Sequence, residues 1–291
     1  MLIINLLNLA VNAASNAGDA VLDIYNSEFD IRYKKDNSPL THADIEANRI
    51  ICNILSSSNY PILSEENILI DYNTRKKWKR YWLIDPIDGT KGFINKSGEF
   101  TINIALMDNN IPILGVILNP ITNTYYFGFN EGSYKAVKNK HFIHNQDLNL
   151  YIEQKSFEKF DKLSVSKTLK RNLKVVSSKS HLNDETILLI NKIEEVFGKI
   201  EKISSGSSIK LCLIAEGLAD LYPRLGPTSE WDIAAADAII RNAGGNIYKY
   251  DPKLSLIDYV KSNKRTQNIR YNKKNILNPY FIVSGLHEYN M

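Results

Sequence analysis

The sequence predicts a mixed α+β / α/β protein, an antiparallel half followed by a βαβ half, on three observations. An amphipathic helix opens the chain. Four consecutive runs between residues 100 and 137 alternate or run apolar, with turn residues between them. Beyond residue 170, short apolar runs alternate with helical periodicities. The second pattern is that of hairpin-linked strands and the third that of crossover units.

Leu6, Leu9, Ala10, Ala13 and Ala17 fall on one face and predict a helix over Ile3–Tyr25. The apolar start and Ala13-Ala14-Ser15 imitate a signal peptide. Yet no Lys or Arg occurs before Arg32, and Asn5, Asn8 and Asn12 interrupt the run, so a helix of the folded protein is expected, with no membrane span. A lysine-bearing turn, Tyr33–Pro39, leads to a second helix over Thr41–Leu55, with Thr41 as N-cap and Asp44 in its first turn. Strands are predicted at Tyr60–Leu63, Tyr81–Ile84, Phe100–Met107, Ile113–Asn119, Thr124–Phe129 and Ser133–Val137. The polar stretch from Asn139 to Phe160 reads as a connection between two halves, 1–150 and 151–291. The second half alternates strand Lys174–Ser177, helix Asp184–Phe197, strand Lys199–Ile203, helix Ser208–Glu216, strand Ala219–Tyr222 and helix Trp231–Asn242, which Gly244-Gly245 ends.

The 291 residues are 44% hydrophobic and 23% charged, ordinary for a globular protein with a large core. A net charge of +4, with lysines spread along the chain and no aromatic-basic motif, argues against nucleic-acid binding and suits an anionic small molecule. Cys52 and Cys212 sit in apolar helical contexts, predict buried free thiols, and fit a reducing cytoplasm.

The most informative stretch is Trp82 to Thr90, W-L-I-D-P-I-D-G-T. Asp85 and Asp88 fall where an apolar strand ends. Two close carboxylates repel unless a cation or a shared proton lies between them, and oxygen ligands suit Mg²⁺. Pro86 fixes the turn, so the Ile87 carbonyl becomes a further ligand candidate. Gly89 and Thr90 are expected to start a short helix whose N–H groups face a phosphate oxygen. Glu65 ends the preceding strand, and Asp232 opens an Ala-rich helix. Taken singly, each has a bland reading: a surface turn, a solvated acidic pair, a helix-dipole partner. Together they offer four carboxylates to two Mg²⁺ ions about 4 Å apart, a clamp for phosphate that also activates water.

Leu63-Ser64-Glu65-Glu66, Trp82–Thr90 and Trp231-Asp232-Ile233-Ala234-Ala235-Ala236 stand in the order found in the inositol monophosphatase superfamily, which the chain resembles over nearly its whole length. Lys91 after Thr90, Asp36-Asn37-Ser38-Pro39-Leu40-Thr41-His42-Ala43-Asp44 and Gly98-Glu99-Phe100-Thr101-Ile102-Asn103-Ile104-Ala105 resemble its bisphosphate-nucleotidase branch; Gly92, where a Glu is usual, departs from it. The resemblance implies a layered αβαβα sandwich of the inositol monophosphatase / fructose-1,6-bisphosphatase type. It implies hydrolysis of 3′-phosphoadenosine 5′-phosphate (adenosine 3′,5′-bisphosphate) to AMP, as in sulfate assimilation, with two or three Mg²⁺ ions and sensitivity to Li⁺. By position, Glu65, Asp85 and the Ile87 carbonyl would hold one ion, and Asp85, Asp88 and Asp232 a second. Thr90 paired with Asp44, with Glu65 assisting, would orient and help deprotonate water; Asp36 is a rival for the base. The substrate would meet Glu65, Ile87, Asp88, Gly89, Thr90 and Asp232 at the reacting end. At the far end it would meet Ser180 and His181, Ser207 and Lys210, and Arg224. Alternatives at this stage are an inositol or sugar monophosphatase with the same metal site and a non-catalytic nucleotide-binding descendant. A monomer or homodimer is expected, in the cytoplasm or peripherally at the inner face of the membrane.

Overall fold

The computed structural model describes residues 1–28, 31–33, 39–67, 70–166, 172–260 and 267–286. Helix α1 (Ile3–Tyr25) is followed by the strand pair β1 (Ile31–Tyr33) and β2 (Pro39–Thr41), then by α2 (His42–Leu55). Thr41 and Asp44 form a reciprocal capping box at the start of α2, so the helix begins one residue after the predicted Thr41. A seven-stranded sheet follows, from β3 (Ile62–Ser64), β4 (Arg80–Asp88), β5 (Thr101–Asp108), β6 (Ile111–Asn119), β7 (Thr124–Phe129), β8 (Gly132–Val137) and β9 (Asp161–Lys162) in sequential order. Among the described residues of this sheet, only the β3–β4 pair is parallel. Short helices α3 (Tyr72–Arg75) and α4 (Thr90–Ile94) flank β4, and α5 (Asn145–Glu153) precedes β9.

A second, six-stranded sheet contains β10 (Leu173–Ser178), β11 (Ile200–Ser205), β12 (Leu221–Arg224), β13 (Asn246–Lys249), β14 (Gln267–Asn268) and β15 (Phe281–Ser284), in the order β11-β10-β12-β15-β13-β14. Its helices are α6 (Asp184–Phe197), α7 (Ile209–Ala215), α8 (Glu230–Ala243) and α9 (Leu256–Val260).

Three cores define five layers. Leu7, Ala10, Ala14, Ala47 and Ile51 of α1 and α2 pack on Ile84, Ile102, Ile104 and Val116 of one face of the first sheet. The other face, with Tyr81, Leu83, Ala105 and Ile117, meets α7 and α8, whose far side meets Val176, Tyr222, Ile247 and Val283 of the second sheet. Leu189, Ile190, Ile193 and Tyr259 of α6 and α9 cover that sheet's outer face. This is the αβαβα sandwich. In β4, Trp82 and Ile84 enter the first core while Tyr81 and Leu83 enter the second, which is why this strand reads as an unbroken apolar run.

The Ala-rich face of α8 lies directly on β6 and β7. A Cβ at Gly115 would overlap the Ala235 carbonyl, and one at Gly128 would lie 2.6 Å from the Ile239 Cα. Gly115→Ala is therefore expected to destabilise the fold by about 3 kcal/mol, read as a lower urea midpoint at unchanged slope.

Four expectations shift. Strand β4 does not stop at Ile84 but runs to Asp88 through a bulge: Asp85 pairs with Asn103 and Asp88 with Thr101, so β4 carries one extra residue, with Pro86 unable to donate. Residues 139–160 are not a mere polar connection, because Leu148, Ile152, Phe157 and Phe160 bury against the first core. The antiparallel β13, β14 and β15 were not foreseen, because they are short and separated by polar stretches. Both cysteines are free, but only Cys212 is buried; Cys52 is half-buried, on the rim of α2. No described helix is long and apolar enough to cross a membrane.

Candidate active site

The β4 bulge aims the D-P-I-D segment into a cavity of about 930 Å³. Glu65, Asp85, Ile87, Asp88, Gly89, Thr90 and Asp232 line one side of it. Asp85 is 1% exposed, and its Oδ1 accepts a 3.1 Å bond from the Ile87 N–H. Asp88 is held by two hydroxyls: Ser207 Oγ at 2.9 Å and Ser208 Oγ at 2.8 Å from Oδ2. Ser208 also reaches the Asp232 carbonyl at 3.0 Å and accepts from Asn103 Nδ2 at 2.9 Å, linking β5, Asp88 and the first turn of α8. Asp232 itself caps α8, accepting from the Ser229 N–H at 2.9 Å. Gly89, in left-handed backbone (φ 87°), is the residue before α4. A Cβ there would lie 2.8 Å from the Glu99 carbonyl and 3.1 Å from the Ser207 Cβ, so only glycine fits. The Thr90 hydroxyl faces Asp44 Oδ1 at 3.4 Å and the Ile87 carbonyl at 3.3 Å. Asp44 stands behind Thr90 rather than in the cavity wall, with Oδ2 held by the Thr41 N–H and hydroxyl, both at 2.7 Å. Asp36 lies outside the described residues.

The acidic wall is electrostatically unbalanced. Burial, then the charges of Glu65, Asp88 and Asp232, push the Asp85 carboxyl well above its ordinary value. Burial, then Asp88, do the same to Asp232. Among the described residues no three such side chains already stand together as a metal-holding cluster. Four convergent carboxylates, hard oxygen donors whose repulsion a divalent cation relieves, fit Mg²⁺.

A cationic wall is formed by Lys91, Lys179, Lys210 and Arg224, with His181 beside them. Lys210 is not on the helix surface: it is 7% exposed, stands 5.8 Å from the Tyr222 ring centroid, and donates to the Ser207 carbonyl. Burial pushes its ammonium down to about 8, against the opposing pull of Asp88. Arg224 is equally buried and donates to the carbonyls of His181 (3.2 Å) and Pro227 (2.9 Å). Its Nε has no hydrogen-bond partner among the described residues. His181 is open to solvent on one side and lies 3.4 Å from Lys91 Nζ. Crowding by protein, then Arg224, Lys91 and Lys210, hold its imidazole below the ordinary value, so it is neutral at pH 7. Ser180 lines the same wall.

All the named candidates except Asp44 and Asp36 thus border one cavity. Sequence reasoning missed Glu99, Asn103, Thr101 and Tyr222. Asn103 and Thr101 carried a signal, polar residues inside an apolar strand beside the D-P-I-D segment.

The chain has recognisable relatives. A family model described as the inositol monophosphatase family matches residues 4–280. The chain is 36% identical over 283 residues to the 3′(2′),5′-bisphosphate nucleotidase CysQ of Escherichia coli K12, covering 96% of this chain and 99% of that protein. It is 40% identical over 238 residues to CysQ of Buchnera aphidicola, covering 80% of each. The crystal structure of CysQ from Bacteroides thetaiotaomicron superposes with a TM-score of 0.81 at 39% identity, covering 96% of both chains. An inositol monophosphatase from Anabaena shares the fold at 20% identity and a TM-score of 0.66, over 97% of this chain and 91% of that one. With the sandwich, the bulged D-P-I-D strand and a match along most of its length in agreement, the chain belongs to the inositol monophosphatase family.

Proposed function

We propose that this protein is a Mg²⁺-dependent 3′(2′),5′-bisphosphate nucleotidase that hydrolyses 3′-phosphoadenosine 5′-phosphate to AMP and phosphate. The observation that carries the reading is the double character of one cavity, lined by four carboxylates and by two buried cations, Lys210 and Arg224. A site for a single phosphate needs only the first. The second suits an additional phosphate on the same substrate. The names and high coverage of the curated relatives support the same activity.

In this reading Glu65, Asp85 and the Ile87 carbonyl hold one Mg²⁺, and Asp85, Asp88 and Asp232 a second. Bound there, the ions neutralise phosphate oxygens and lower the pKa of water. The Thr90 hydroxyl hydrogen is committed to Asp44 or to the Ile87 carbonyl. Its lone pairs are then free to orient water, and a proton from that water can reach Thr90 only as the Thr90 hydrogen passes to the Asp44 carboxylate, with Glu65 assisting. Water oxygen bonds to phosphorus as the bond to the ribose 3′ oxygen breaks; that oxygen takes a proton from solvent water and AMP leaves. Lys210, Arg224 and Ser207 grip the 5′-phosphate, and Ser180 and His181 border the adenosine. The free thiols fit a reducing cytoplasm, and the working unit is a monomer or homodimer.

The test is phosphate release from 3′-phosphoadenosine 5′-phosphate and from inositol 1-phosphate, side by side, with Mg²⁺ and with chelator. Mg²⁺-dependent preference for the nucleotide is expected. Preference for inositol phosphate would discard the far pocket, and no release from either would leave a nucleotide-binding protein.

A further inference from the structure

Three glycines from two segments crowd one residue that the reaction above does not use. A Cβ on Gly89 or on Gly92 would run into the Glu99 carbonyl oxygen, and one on Gly206 would lie 2.8 Å from the Glu99 Cβ. Glu99 lies two residues before β5, yet its side chain belongs to the other sheet. Its Oε2 accepts from Lys179 Nζ at 2.8 Å, and its Oε1 from the Gly206 N–H at 3.4 Å. Lys179 follows β10 and Gly206 follows β11, two parallel strands that end side by side, with the Lys179 N–H on the Ser205 carbonyl at 3.1 Å. The carboxyl ends of such strands are where open α/β sheets hold ligands.

One carboxylate therefore clamps both loops that carry the far pocket. Beyond Lys179 lie Ser180 and His181; beyond Gly206 lie Ser207 and Lys210. The backbone of the same residue abuts Gly89 and Gly92, the segment that carries Thr90. A negative side chain on the wall of a cavity for a polyanion is repulsive unless neutralised. Here Lys179 neutralises it, so the carboxylate serves geometry at little electrostatic cost.

We infer that Glu99 is a positioning residue that sets the span between the carboxylate wall and the cationic wall, and with it the preference for two phosphates over one. This rests on the bisphosphate reading. The test combines Glu99→Ala, Glu99→Gln and, from the other side of the ion pair, Lys179→Met.

In the ligand-free protein, Glu99→Ala and Lys179→Met are expected to speed amide hydrogen exchange at residues 178–181 and 205–208, with β5 protection unchanged. In kinetics, Glu99→Ala is expected to lower kcat/KM about tenfold for 3′-phosphoadenosine 5′-phosphate, through KM, and less than about twofold for adenosine 3′-monophosphate. Glu99→Gln, which keeps an oxygen acceptor, falls between. Equal losses on both substrates, or unchanged exchange in those loops, overturn the inference. A wild-type protein without preference for the bisphosphate sinks the substrate reading instead, and the exchange data still decide whether Glu99 is the clamp.

Discussion

Asp85→Asn is expected to lower kcat by about a thousandfold or more, without loss of fold. Asp85 is the one carboxylate that the proposed site assigns to both ions, so its loss removes charge and ligand together. It is also the most crowded: buried, and facing Glu65, Asp88 and Asp232. An acid whose folded pKa is raised is penalised as pH climbs above its unfolded value, so the ligand-free protein carries this cost at neutral pH. Asparagine removes the cost. The ligand-free variant should therefore melt at or above the wild-type temperature at pH 7, with the difference vanishing toward acid pH. Mg²⁺ should raise the wild-type melting temperature and leave the variant nearly unmoved. Near-wild-type turnover, or an unaltered Mg²⁺ shift, would sink the metal assignment.

Lys210→Met is expected to raise KM for the bisphosphate about a hundredfold and to spare small monophosphates. The buried ammonium is fixed against the Ser207 carbonyl, which holds its charge at one place in the cavity. Because its pKa is pushed down to about 8, its charge is lost as pH rises through that value. AMP affinity, measured by calorimetry without metal, should accordingly decline above about pH 8; bound phosphate moves the decline upward by favouring the charged form. Lys210→Arg should abolish this pH dependence, since arginine stays charged. Equal losses of activity on both substrate classes would refute a role at the second phosphate.

The metal side was legible because it is local: the apolar run of β4 and the acids at its end announce themselves within nine residues. Four carboxylates at element ends needed only a fold to gather them. The bulge was not legible, since it depends on how Asp85 and Asp88 register against β5. Lys210 was named for the far end of the substrate, but its burial was not legible, because α7 gives no sign of the Tyr222 ring and Arg224 that enclose it from β12. Glu99 was hidden for a related reason. Its importance lies in glycines at 89, 92 and 206, each of which reads alone as a turn. The return strands β13 and β15 are four residues each, below what alternation can signal.

The seating of α8 also has a temporal consequence. Its partners in the first sheet come far earlier in the chain; Ser133 and Ile239, bonded through hydroxyl and carbonyl, are 106 residues apart. Closing so long a loop is entropically slow. At ribosomal speed, on the order of ten seconds separate the emergence of Asp88 from that of Asp232. Through that interval the nascent chain carries three of the four acids and lacks the helix that completes the cavity floor. Hydrolysis is thus expected to switch on late and at once, and chains released before α8 should be inert rather than partly active.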